Sequence, residues 1–485
     1  MLSSQGLAEG DKKPIEYKRG VDAVLRGNPQ GLTEQEAVNA AVAASPQVEV
    51  KRGEAAASEA TTGATLSRYL PKINLMGSVS RSNQVNFDFG GGGFTVGALN
   101  PGLLTVGGCP NGGGTCVLDA NGSPVSAVET EPLEIPTLTY SLQGTASLPL
   151  SDFLRLPKVM RAAKLDSNAA SLRKDATIRS VVMETRVAYY EWVRALAQAA
   201  VAKHATKSVR ARLTDAEIGL NAVVTSLADV QQIRSAKASA DNTLAVANSA
   251  EAIARDRLLS MMGKPVGTKI ILGTRSKSQG NPAAGQTLGE LVALGLEKRR
   301  DLRALRAAHE STDLATSAAK FDEYPKLAAT GTVNHANPNP QFFPPRNAWN
   351  TSWNIGLNVS WSLDAYLAGR SRRKELEALT HVAKASLHVA EQQARGEIVA
   401  AWQALVRSRE AVKNSKLDVS SAESAYEQRV LEFRAGQATA SALLDTEVQR
   451  FQANLGQLNA RIDRRIALAQ LRRAVGLAQA PKERR

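Results

Sequence analysis

The chain has 485 residues, 43% hydrophobic but only 5% aromatic, with 60 Lys and Arg against 46 Asp and Glu for a net charge of +14. No run of 18 apolar residues exists, so a transmembrane helix is excluded, and any membrane contact must be made by a barrel or at the surface. The charge fits nucleic acid, anionic lipid or a basic pore, but Lys and Arg are interleaved with Asp and Glu and aromatics for base stacking are scarce, which argues against nucleic acid.

By length the chain should hold two to four domains. Its start, MLSSQGLAEGDKKP, has no apolar h-region, which predicts either a cytosolic chain or numbering that begins after a removed signal peptide. No early Cys offers a lipid anchor. Residues 1–31 read as an irregular lead-in, and residues 32–265 as a first repeat. Thr33 and Glu36 have capping-box spacing, and Pro46 separates a short helix from a longer one. At Pro71, a helix–strand junction, the pattern switches to period two, which predicts strands at 71–82 and 137–150, the second carrying Tyr140.

Residues 83–134 between these strands read as a long loop. Its GGGG run at 90–93 lacks the Gly-Lys-Ser/Thr ending of a phosphate loop and reads as flexible linker. Cys109 and Cys116 are expected to form a loop-closing disulfide, which needs an oxidising compartment; two reduced thiols are the alternative. No second Cys pair or nearby His suggests a metal site, and the five His are scattered. No cofactor motif or nucleophile–base constellation is visible, so an enzyme is not expected.

A long helical region starts at Asp152. Ile178, Val182, Thr185, Tyr189, Trp192 and Leu196 fall at spacings of four and three, a heptad seam for packing along another helix. Gly219 is expected to interrupt the helix, and Gly263-Lys264-Pro265 to stop the one after it. Residues 266–285 read as linker.

The plan then repeats over 286–476, before a tail at 477–485. Thr33 meets Thr287, Glu36 meets Glu290 and Pro71 meets Pro325, the second helix–strand junction. A period this long means a duplicated domain. Strands are predicted at 325–334 and 349–363, and a second helical hairpin breaks at Gly436. Its last helix carries Leu444, Val448, Phe451, Leu455, Leu458 and Ile462 in four-three rhythm.

The strand WNTSWNIGLNVSWSLD is the clearest element. Trp349, Trp353, Ile355, Leu357, Val359, Trp361 and Leu363 share one parity; Asn350, Ser352, Asn354, Asn358 and Ser360 share the other. One side is dry and one wet. Trp353 to Trp361 spans about 26 Å at about 3.3 Å per residue, close to the apolar band of an outer-membrane barrel with its aromatic girdles. Four strands cannot close a barrel, so closure requires several chains. The alternative is a soluble coiled-coil scaffold or adhesin stalk.

The segments LTEQEAVNAAVAASPQVEV and FRAGQATASALLDTEVQ, with the two Pro-to-strand junctions, make the chain resemble the TolC-type outer-membrane efflux channels, the outer-membrane factors, over roughly 32–476. The resemblance implies an α+β membrane protein with an internal two-fold repeat. Its homotrimer would form a 12-stranded β-barrel, four strands per chain, continuous with a long periplasmic α-helical barrel. It implies residence in the outer membrane with a periplasmic extension, among outer-membrane lipid. It further implies passive export of drugs, toxins or polypeptides in multidrug efflux or type I secretion. Partners would be a periplasmic adaptor (membrane fusion) protein and, through it, an inner-membrane RND, ABC or MFS transporter. Trp349, Trp353, Trp361 and Tyr140 would be girdle residues. Gly219 and Gly436 would mark helix tips that meet the adaptor, and Asp229 and Asp445 would ring the periplasmic gate. Where the family often has a second acid this chain has Ala442, with which Asp229 aligns best. The basic latch of family members is missing from Gln437-Ala438-Thr439.

Overall fold

The computed structural model describes residues 27–67, 69–83, 104–110, 112–125, 136–222, 225–274, 285–343, 346–435 and 437–477. The fold is mostly helical with a small sheet. In chain order the elements are α1 (Glu34–Ala44), α2 (Pro46–Ser67), β1 (Lys72–Arg81), β2 (Thr105–Gly108), β3 (Thr115–Leu118), β4 (Leu138–Pro149), α3 (Asp152–Asn221) and α4 (Leu227–Met261). There follow α5 (Leu288–Lys298), α6 (Arg300–Ala319), a 3-10 turn at Lys320–Glu323, β5 (Lys326–Asn337), β6 (Asn350–Ser360), α7 (Leu363–Arg434) and α8 (Ala440–Ala474). Two compact units emerge, each drawing on both repeats. One gathers the chain up to Thr65, Lys158–Ala318 and the chain from Arg372; the other takes Leu66–Pro157 and Ala319–Ser371.

In the helical unit, α1 starts with a reciprocal cap. Thr33 Oγ1 accepts from the Glu36 N–H at 3.3 Å, and the Glu36 carboxylate accepts from the Thr33 N–H at 2.9 Å. Thr287 and Glu290 repeat the arrangement at α5, at 3.3 and 2.7 Å. Pro46 is the first residue of α2, where its missing N–H costs nothing. The matching break in the second half has no proline. There Arg299 separates α5 from α6 and bonds Asp301 at 2.7 Å and Glu397 at 2.6 Å.

The largest core packs α1 against α3, α4 and α8 through Val38, Val182, Tyr189, Trp192, Leu258 and Ile462. Ile178, Val182, Thr185, Tyr189 and Trp192 are buried, and Leu196 packs at the edge of the cluster. A second core packs α5 against α7 and α8 through Leu291, Ile398, Leu405, Leu471 and Val475. The seam expected on α8 holds at Leu444, Leu458 and Ile462 but breaks at Val448, which is exposed while its neighbour Glu447 is buried. Glu447 turns inward because Ser208 of α3 and Arg450 meet its carboxylate.

Gly219 does not interrupt its helix, contrary to the sequence expectation, because α3 continues to Asn221. The hairpin partners α4 and α8 are both 35 residues long. Gly263 and Gly476 follow them at φ +67° and +75°. That left-handed conformation costs an L side chain but not glycine, so both helices stop at the same place.

In the other unit, the sheet order is β1-β4-β5-β6 with every pair antiparallel. β5 extends three residues beyond the predicted 325–334. Pro71 and Pro325 immediately precede β1 and β5. The region expected to be loop contains β2 and β3, which pair from Thr105↔Leu118 to Gly108↔Thr115. Cys109 and Cys116 are joined across that hairpin, with Cα atoms 5.1 Å apart. The GGGG run and Gly436 lie outside the described residues.

Candidate pore wall and helix-tip gate

The four-stranded sheet has two chemically opposite faces, because its register keeps like parities in line. Leu75, Gly144, Val333 and Trp353 form one row, and Ile73, Ala146, Gly331 and Ile355 the next. This face is apolar and open: Leu75 is 86% exposed, Ile355 81% and Trp353 70%. A contiguous apolar face of this size in water marks a membrane or protein contact. The other face carries Asn74, Ser78, Ser141, Gln143, Thr145, Thr332 and Asn354, with Ser78 and Ser141 hydroxyls 2.8 Å apart. Its only ionisable side chains within the strands, Lys72 and Lys326, start β1 and β5, so the rest of this face is uncharged.

Aromatic side chains mark both ends of the apolar face. Trp349 stacks on His335 with ring centroids 4.9 Å apart and lies 6.0 Å from Tyr140. Trp361 lies 6.3 Å from Tyr366 at the other end. The twelve steps between Trp349 and Trp361 measure about 40 Å along a strand, or about 30 Å of height at a barrel tilt of about 40°. That matches a bilayer hydrocarbon core of about 30 Å. Trp353 belongs to the face between these ends. Among the described residues β1 pairs only with β4, and β6 only with β5, so both edges of the sheet are open. No described helix is long and apolar enough to cross a membrane.

In the helical unit, the two hairpin ends pack on each other. Val209, Ala216, Val230 and Ile233 of α3 and α4 meet Phe433 of α7 and Leu444 of α8. A cavity of about 80 Å³ lies there, lined by Arg212, Asp215, Thr225, Phe433, Leu443 and Leu444 among others. Ser226 caps α4 by accepting from the Asp229 N–H at 3.1 Å, and its hydroxyl donates to the Asp229 carboxylate at 2.6 Å. Thr439 caps α8 in the same way, accepting from the Ala442 N–H at 3.3 Å. Asp229 and Ala442 therefore hold equivalent places on the two helices. Asp445 is exposed one turn further along α8.

Gly219 has a specific steric reason. A Cβ there would come within 2.3 Å of Thr225 Oγ1, and the Gly219 carbonyl accepts from the Thr225 N–H at 3.2 Å. Thr225, just before α4, therefore sits directly against this glycine.

Sequence reasoning missed a polar clasp behind the tips. Arg212 of α3 donates to the Tyr426 hydroxyl of α7 at 2.9 Å, and Arg450 of α8 covers the Tyr426 ring at 3.8 Å. Arg450 also faces Glu447 at 4.0 Å, and Ser208 donates to the Glu447 carboxylate. Burial works against the Arg212 charge, but Tyr426, Glu447 and Asp215 outweigh it and raise its pKa. Glu447 lies off the four-three positions of the α8 seam, so the sequence carried no signal for it.

The family model for outer membrane efflux proteins matches residues 119–264 and 291–477. No curated protein matches the chain. Its fold is similar to that of the outer-membrane channel OprN, with a TM-score of 0.71 at 17% identity over 96% of this chain and 93% of that one. It is also similar to the CmeC outer membrane channel of Campylobacter jejuni, with a TM-score of 0.71 at 15% identity over 96% and 89%. For the outer membrane protein VceC of Vibrio cholerae the TM-score is 0.69 at 15% identity over 91% and 96%. The chain belongs to the outer membrane efflux protein family and resides in the outer membrane with a periplasmic extension.

Proposed function

We propose that three copies close one 12-stranded barrel and form a passive exit duct, continuous with a periplasmic helical barrel. The observation that carries this reading is the open-edged, two-faced sheet. β1 and β6 run in opposite directions, so β6 of one copy can pair antiparallel with β1 of the next. Repeating that head-to-tail contact closes a ring and removes both exposed edges. Apolar rows then face lipid, and the hydroxyl and amide wall faces water.

The duct serves as the outer component of a tripartite efflux or type I secretion system. A periplasmic adaptor meets the hairpin tips near Gly219 and Gly436, and an inner-membrane RND, ABC or MFS transporter delivers drugs, small molecules or polypeptides. Asp229 and Asp445 supply carboxylates at the narrow helix-tip end, where a negative ring favours cations. The clasp of Arg212, Tyr426, Arg450 and Glu447 substitutes for the basic latch that Gln437-Ala438-Thr439 lacks. Conductance of the purified protein in a planar bilayer tests the duct: discrete channel openings are expected, and a folded multimer that never conducts would refute it.

A further inference from the structure

The loop after β5 folds back over the polar face of the sheet. Asn339 is 1% exposed, and its amide fixes the fold-back. Nδ2 donates to the Asn334 carbonyl at 3.2 Å, the Asn350 carbonyl at 3.1 Å and Ser352 Oγ at 2.9 Å. Oδ1 accepts from the Gln341 N–H at 3.0 Å and from Ser352 Oγ at 3.3 Å. The burial pattern agrees. Ala336 and Ser352 are the only buried residues on the polar face of the four-stranded sheet, and both lie at the end where this loop joins it. On the opposite face the His335 ring stacks on Trp349.

One turn beyond Asn339, the Phe342 N–H bonds the Asn339 carbonyl at 3.1 Å. Phe342 is 46% exposed and Phe343 84% exposed, so the chain buries neither ring in its own core. An Asn side chain with both its nitrogen and its oxygen engaged thus anchors a loop that presents the Phe342 and Phe343 rings.

We infer that Phe342 and Phe343 form an outer constriction of the duct, held over the pore mouth by Asn339 and Ser352. This rests on the reading of the polar face as the lumen of a three-copy barrel. Three copies place three such aromatic pairs around one opening at the end of the sheet where β5 and β6 are joined. A ring of apolar side chains sheds water, resists hydrated ions and admits apolar or aromatic solutes. The chemistry selected at this mouth therefore differs from that at the carboxylate ring of the helix tips.

Single-channel recording of the full-length protein tests this. Phe342→Ala with Phe343→Ala should raise conductance at least twofold, and Asn339→Ala, which frees the loop, should shift it in the same direction. Unchanged conductance in the double variant overturns the constriction. Should that variant fail to assemble, Phe343→Cys gives a second measurement. A bulky, membrane-impermeant thiol reagent added on the loop side should cut conductance by at least half, and no effect overturns the proposal. A parent protein that conducts nothing removes the duct reading itself, and this inference with it.

Discussion

Arg212 and Tyr426 join two helices 214 residues apart in sequence, guanidinium to phenol at 2.9 Å. The same phenol ring lies under Arg450, whose partner Glu447 is only 6% exposed. Two kinds of interaction thus meet in one clasp, a neutral hydrogen-bond acceptor and a buried carboxylate. Removing a single hydrogen bond typically costs about 1 kcal/mol, whereas leaving a buried charge without its partner costs about 3–5 kcal/mol. Tyr426→Phe should therefore lower the unfolding free energy of the helical unit only slightly, and Arg450→Met should lower it by about 3 kcal/mol. Helical circular dichroism against denaturant measures both; equal losses would contradict the clasp.

Gly219 and Thr225 offer a paired test. A methyl group added at Gly219 would sit 2.3 Å from Thr225 Oγ1, so Gly219→Ala overpacks the turn. The expected loss is about 1–3 kcal/mol. Adding Thr225→Ala removes the clashing oxygen and should restore most of that loss. A Gly219→Ala protein as stable as its parent would show that the turn has room to move.

The helix-tip carboxylates are tested by ion selectivity. Asp229→Ala combined with Asp445→Ala should weaken cation preference, read as a smaller reversal potential in a KCl gradient. It should also weaken block by divalent cations. Unchanged selectivity and block would exclude both carboxylates from the narrow point of the pore.

Acid should loosen the junction between α5 and α6. Burial pushes the Asp301 carboxyl up, but the hydrogen bond and charge of Arg299, with help from the Leu302 N–H, hold it below its ordinary value of 3.8. A carboxyl with a depressed folded-state pKa stabilises fully above that ordinary value. The contribution disappears as pH falls through the lower folded value. Melting temperature should thus fall as the pH drops below the ordinary carboxyl value of 3.8, and Asp301→Asn should reduce the drop. An identical acid profile in the variant would contradict the pairing.

Much of this architecture was legible in the residues. Period-two alternation located the four long strands, because a one-residue slip would turn every Trp and Ile of β6 to the wrong face. Threonine and glutamate three apart marked α1 and α5, because each supplies what the other's backbone lacks. The break beyond Gly219 was misplaced by a few residues. Its glycine serves close approach to Thr225 rather than a helix end, and spacing alone does not distinguish the two. The β2–β3 hairpin was hidden by its glycines, which carry no alternation, although the two cysteines bracketed its turn. The clasp and the fold-back at Asn339 depend on partners tens to hundreds of positions away or on exact loop geometry. No local pattern encodes them.

In the proposed assembly this sheet is completed by further copies of the chain. The mass of the purified particle in mild detergent, measured by light scattering with the detergent contribution subtracted, tests it most directly. A protein mass of three chains is predicted. A single chain, stable and monodisperse in buffer without detergent, would contradict the account.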